Sequence, residues 1–194
     1  MLERLGSSSL RDIWDSDWQP IGKPALIGWL VAYSLFLLYA LANKSGFLFI
    51  DNVNLVVHEG GHLLASWTGN QTFTVWGGTL LQWAVPLMLA AWFYVQRQPA
   101  GFAFCMFIFF ENLLYSAVYM ADARAMALPL VTVGDPESGG HDWNYIFSNL
   151  GLLPYDTRIG AATRIIGWVG TASVVVWLAW RTKTSAVSSA AIGG

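Results

Sequence analysis

The chain has 194 residues, of which 55% are hydrophobic, 15% aromatic and only 11% charged, with a mean hydropathy of +0.48. An ordinary soluble domain carries about 25% charged residues, so this composition excludes a typical soluble enzyme. It points to an integral, multi-pass membrane protein, with the cell (plasma) membrane as the expected location. A net charge of −2 and a pI near 5.8 exclude a basic surface for nucleic acid.

Residues 1–24 are polar, with Trp14 and Trp18 among acids, and read as a segment at the membrane surface. They contain neither the apolar core nor the cleavage site of a signal peptide, so insertion is expected to use the first spanning segment. Residues 25–181 form the expected membrane domain. Within it, apolar stretches at 25–41, 47–67, 80–95, 101–121 and 159–180 each approach the ~20 residues that cross a bilayer as a helix. The expected fold class is therefore an all-α membrane bundle of about five spanning helices, with six as the alternative count. Pro86 marks an expected kink in the third. Between the second and third stretches, the glycine-bounded alternation GNQTFTVWGGT (69–79) predicts a short strand or hairpin.

Residues 122–158 form the longest polar-containing connection, centred on the loop VGDPESGGHDW. Residues 145–153 predict a short helix that does not span, and Asp122 and Arg124 read as a solvated pair at a helix end. The small-residue tail 182–194 predicts disorder. Cys105 has no second cysteine to pair with and sits in the apolar run FAFCMFIFF, where it reads as packing. Cations divide almost evenly between the two sides: Arg4, Arg11, Lys23, Arg124 and Arg158 against Lys44, Arg97, Arg181 and Lys183. The positive-inside rule therefore leaves the orientation open.

The second apolar stretch contains His58-Glu59-Gly60-Gly61-His62, an H-E-x-x-H. The whole chain has only three His. A shuffled chain of this composition would show the pattern roughly once in a thousand, which makes it more than coincidence. Residues four apart share one helix face, so His58 and His62 can hold one zinc ion per chain, and Glu59 stands beside them to take a proton from a water. Asp51, Asn54, His58 and His62 continue the same stripe, and Asn54 or Asp51 can accept the free N–H of a ligating imidazole. A catalytic zinc takes a third protein ligand. The remaining histidine, His141, and its neighbour Asp142 are the leading choices. Glu111 and Asn112, side by side in the fourth stretch, are candidates for a supporting role, a proton relay, a substrate clamp or an interhelical hydrogen bond. Gln71 and Gln82 are candidate donors to a substrate carbonyl.

An H-E-x-x-H inside a membrane helix, followed at once by a glycine-bounded, strand-like segment, resembles the site-2 protease group of intramembrane zinc metalloproteases. The resemblance spans five residues strongly and roughly 47–153 loosely. It implies His58 and His62 as ligands, Glu59 as general base, and Asp142 as a third ligand from a later segment. It also implies that 69–79, with Gly77 and Gly78, offers an edge for strand addition to an unfolded membrane-protein or peptide substrate. The chain departs from the group's pattern in having His141-Asp142-Trp143 where an L-D-G is usual, so His141 stays open beside Asp142. The expected activity is hydrolysis of a peptide bond in or near a membrane segment. The competing expectations are a zinc-dependent lipid amide hydrolase, or a non-proteolytic partner subunit or chaperone that keeps the motif.

Overall fold

The computed structural model describes residues 16–129 and 140–192, with side chains described as far as Arg181. Among the described residues six α-helices follow one another: α1 (Lys23–Ala42), α2 (Asp51–Ser66), α3 (Gln71–Val95), α4 (Pro99–Ala121), α5 (Asp142–Asn149) and α6 (Asp156–Ile192). A 3-10 turn at Leu153–Tyr155 leads into α6. Four segments are long and apolar enough to cross a membrane: α1, α3, α4, and Leu153–Arg181 with its helix α6. The expected fifth span, the motif helix α2, has 16 residues, a rise of about 24 Å. It is a turn short of the ~20 residues that suffice. The loop centre at 130–139 and residues 1–15, Trp14 included, lie outside the described residues. The α6 backbone runs to Ile192, through the segment expected to be a disordered tail; side chains there lie outside the described set.

Chain reversals follow from local chemistry. After α1, the Asn43 side chain accepts from Ser45 Oγ at 2.9 Å and from the Gly46 amide at 3.0 Å, and Gly46 takes φ +74°, which its missing Cβ permits. Asp51 at the start of α2 accepts from the Leu48 amide with Oδ2. Pro99 begins α4, where a helix has no use for its missing N–H. The segment before α1 is pinned to the α3–α4 turn: the Gln19 amide donates to the Arg97 carbonyl at 2.8 Å, and the guanidinium groups of Arg97 and Arg181 both lie over the Trp18 ring.

No strand or hairpin occurs among the described residues. The segment expected to form one is instead the first two turns of α3. Asn70 caps that helix, its side chain accepting from the Phe73 amide at 2.9 Å. The Thr-Phe-Thr-Val-Trp alternation favours a strand locally, yet tertiary packing overrides such weak preferences. Here Val75 and Trp76 pack against the cluster around Trp143 and Ile146. Pro86 lies inside α3, where its ring leaves the Gln82 carbonyl without the usual intrahelical donor.

Packing is hierarchical. α4 and α6 make the most extensive contact, followed by α2 with α3 and α3 with α4, while α1 touches the bundle lightly along α6. The apolar window of α4 is 44% buried and that of α1 is 6%, so α4 is the centre and α1 the periphery. α2 and α3 meet through glycine. A Cβ on Gly77 would come within 2.6 Å of both Ala65 Cβ and the Gly61 carbonyl oxygen, and a Cβ on Gly61 would overlap the Gly77 peptide. Bare backbones bring these helices together, as small residues do in membrane interfaces generally.

Gly61→Ala is expected to destabilise the protein by about 1–3 kcal/mol, because the atoms it meets are backbone and cannot swing aside. Gly28→Ala adds a Cβ with nothing within 4 Å and is expected to be neutral or to stabilise α1 by up to about 1 kcal/mol. Thermal melts in detergent compare the two, and equal melting temperatures would refute the glycine crossing.

Candidate metal centre

α2 carries the motif with its polar groups turned inward and its apolar ones outward. Asp51, Asn54 and His58 are buried, while Val53, Val56, Leu63 and Leu64 are exposed. The ligand atoms of His58, Glu59 and His62 gather within 4.8 Å of one another. Asp142 comes closer still. Its Oδ2 is 2.8 Å from His58 Nε2 and 3.0 Å from His62 Nε2. The tighter trio is thus His58, His62 and Asp142, with Glu59 beside it. Glu59 is half-buried, and among the described residues its carboxylate makes no hydrogen bond.

The short contacts of the trio call for a proton or a metal ion between the facing atoms. His62 Nδ1 lies 2.8 Å from the Thr74 carbonyl, which can only accept, so Nδ1 bears a proton, and in the neutral form of the ring Nε2 offers a lone pair. That lone pair faces a carboxylate oxygen. Two acceptors at 3.0 Å repel unless a proton or a metal ion lies between them. Donor atoms around a tetrahedral zinc with bonds of about 2.0–2.1 Å sit roughly 3.3 Å apart, so the two carboxylate–imidazole distances would need to open by only about half an ångström. The cradle is completed by α3: a Cβ on Gly78 would stand 2.6 Å from His62 Nε2 and 2.7 Å from His58 Nε2. The missing Cβ leaves room for an ion where the two nitrogens converge, and the residues fit a zinc.

Asp142 reaches this point because three contacts hold the start of α5 against the end of α4. The Asp142 amide donates to Tyr119 Oη at 3.0 Å, Asn144 Nδ2 donates to the Ala123 carbonyl at 2.8 Å, and the His141 ring packs at a tilt of 37° against Tyr119, 4.2 Å between centroids. His141 itself turns away from the trio. Its Nδ1 accepts from the Asn144 amide and caps α5, and its Nε2 faces Asp122 Oδ2 at 3.4 Å. Burial holds its pKa below the ordinary histidine value, against the pull of the Asp122 charge, and a neutral ring is what a capping acceptor requires.

Some other sequence-derived candidates occupy different places from those expected, while Glu111 and Asn112 make interhelical hydrogen bonds, one of the roles expected of them. Asn54 and Asp51 do not take the imidazole N–H groups. Asn54 Nδ2 instead bridges two buried carboxyls, donating to Asp51 Oδ1 at 3.0 Å and to Glu111 Oε2 at 2.8 Å. The imidazole partners are the Thr74 carbonyl and Gln82 Oε1, the latter 2.9 Å from His58 Nδ1. Asn112 accepts from Gln82. Gly77 and Gly78 lie within α3 rather than on a strand, at the helix crossing and the floor of the cradle. Asp122 and Arg124 do not pair with each other: Asp122 accepts from the Ala127 and Leu128 amides, and Arg124 pairs with Asp156 at 2.7 Å. Gln82 and Tyr119 carry more of the site than the sequence reading gave them. The available signal for Gln82 was a glutamine deep in an apolar helix, one turn beyond Gly78 on the same face.

Comparison with family models, curated proteins and solved structures finds no match. The case for a metal centre therefore rests on this chain's own residues and their geometry.

Gly78→Ala is expected to abolish binding of zinc, since its methyl would stand against both Nε2 atoms. Gly60→Ala, whose Cβ meets only Leu81 at 4.0 Å, is expected to keep one zinc per chain. Elemental analysis of the purified proteins distinguishes them; full zinc in Gly78→Ala would refute the cradle.

Proposed function

We propose that the chain is a multi-pass integral membrane zinc hydrolase that cleaves a peptide bond in or near a membrane segment of a protein substrate. The resemblance of its motif to the site-2 protease group suggests the reaction. The observation that carries the reading is the convergence of two imidazole nitrogens and a distant carboxylate on one point beside Glu59. His58, His62 and Asp142 would hold the ion. When bound, zinc acts as a Lewis acid and brings the ionisation of water towards neutral pH.

The chain's own residues supply the rest. Glu59 accepts the proton of the water that attacks the scissile carbonyl carbon. It then returns that proton to the amine nitrogen as the C–N bond breaks, so one carboxylate serves as base and then as acid. Gly78 exposes backbone beside the reacting centre. The bundle keeps bulk water from the site on the buried side of His58. Substrate pairing by strand addition does not enter this reading, because 71–79 spends its backbone hydrogen bonds within α3. A lipid amide is the competing substrate, and a partner subunit without activity is the competing role.

The test combines metal content with turnover on membrane-segment peptides and on lipid amides. Wild type is expected to carry one zinc and to cleave the peptides. Glu59→Gln is expected to keep the zinc while turnover falls by about 10²–10⁴-fold. Asp142→Ala is expected to lose zinc and His141→Ala to keep it. Unchanged turnover in Glu59→Gln would overturn the catalytic role. Cleavage of lipid amides alone would replace the substrate class, and metal-free wild type would leave the partner-subunit role.

A further inference from the structure

Gln82 is 2% exposed and Asn112 is 1% exposed, so neither amide has water to satisfy it. They form a chain that ends on the motif. Asn112 Nδ2 donates to the Ile108 carbonyl at 3.0 Å, Gln82 Nε2 donates to Asn112 Oδ1 at 2.7 Å, and Gln82 Oε1 faces His58 Nδ1 at 2.9 Å. The direction of this chain is not arbitrary. The Ile108 carbonyl can only accept, so Asn112 must turn its nitrogen towards it and its oxygen towards Gln82. Gln82 must then turn its own nitrogen to Asn112, which leaves its oxygen for His58. Reversing either amide alone would set two buried oxygens or two buried N–H groups against each other, and each group left unsatisfied carries the full cost of desolvation.

The geometry points to Gln82, oriented by Asn112, as a positioning residue that locks His58 in its Nδ1–H tautomer with the Nε2 lone pair free for a metal ion. This inference rests on the metal reading of the site. It explains why two amides lie buried in α3 and α4, and it makes the two ligating histidines unlike. His62 is fixed by a main-chain carbonyl from Thr74 that no substitution removes. His58 is fixed by a side chain, and so its orientation and basicity are open to mutation. Groups that hold the remote N–H of a ligating histidine typically account for 10–100-fold in metal affinity.

The experiment measures zinc affinity by chelator competition and the visible absorption of the Co²⁺-substituted full-length protein in detergent. Gln82→Leu is expected to bind zinc 10–100-fold more weakly and to shift the Co²⁺ bands, because the ring loses its acceptor and rotates. Gln82→Glu keeps an acceptor for the His58 N–H and is expected to restore both readouts. Asn112→Leu, which touches no ligand, is expected to weaken zinc in the same sense by freeing Gln82 to turn; it carries the test should Gln82→Leu fail to fold. Wild-type affinity and an unchanged Co²⁺ spectrum in whichever of these two apolar variants folds would overturn the positioning role while leaving the metal site standing. Failure of wild type itself to bind zinc or cobalt would overturn both.

Discussion

Everything near the motif depends on one constraint: polar groups buried in an apolar bundle must find partners, because neither water nor lipid will supply them. The two imidazoles, the carboxyls of Asp51, Glu111 and Asp142 and the three amides gathered between α2, α3, α4 and α5 are tolerated because the helices approach closely enough to connect them, although among the described residues Glu111 Oε1 lacks a hydrogen-bond partner. Gly61 and Gly77 allow that approach, and Gly78 extends it to the imidazoles. The glycines that weaken α2 and α3 as isolated helices are thus what permits their polar groups to meet. Stability gained by close packing offsets the helix propensity that is lost.

α4 organises the result. Its residues Asn112, Ser116 and Tyr119 fall at spacings of four and three, on one face. Asn112 takes the Gln82 amide, Ser116 accepts from the Trp83 indole at 3.1 Å, and Tyr119 takes the backbone of Asp142. Glu111, one step around the helix, serves the separate Asp51–Asn54 cluster. The most deeply packed of the four long apolar helices is therefore also the frame on which the candidate ligands are aimed. A rigid frame of this kind suits a site whose chemistry depends on sub-ångström placement of donor atoms.

The two faces of α2 have opposite tasks. One face holds the histidines against α3 and α5, and the other presents Val53, Val56, Leu63 and Leu64 outward. The helix is inverted relative to one on the surface of a soluble protein, with polar side chains inside and apolar ones outside. That inversion is a property of the apolar surroundings, and it lets an aqueous reaction be proposed within a chain whose outer surface is suited to lipid.

The sequence alone determined the class of the protein and the heart of the motif. Long apolar stretches are read residue by residue, and spacing by four places His58 and His62 on one face wherever the helix goes. The short helix after the loop was equally legible, expected at 145–153 and found at Asp142–Asn149. What the sequence left open was decided by contacts between residues far apart. Asp142, 84 residues from His58, is brought to the imidazoles while its neighbour His141 is turned to Asp122, because Tyr119 and Ala123 fix the direction in which α5 begins. The segment 69–79 alternates like a strand, yet it coils into α3 because Asn70 caps it and its glycines must lie against α2. Gln82 could be seen as a polar residue in an apolar helix, but its partner could not. Periodicity reports which face a side chain occupies, and only the packed structure decides what stands opposite.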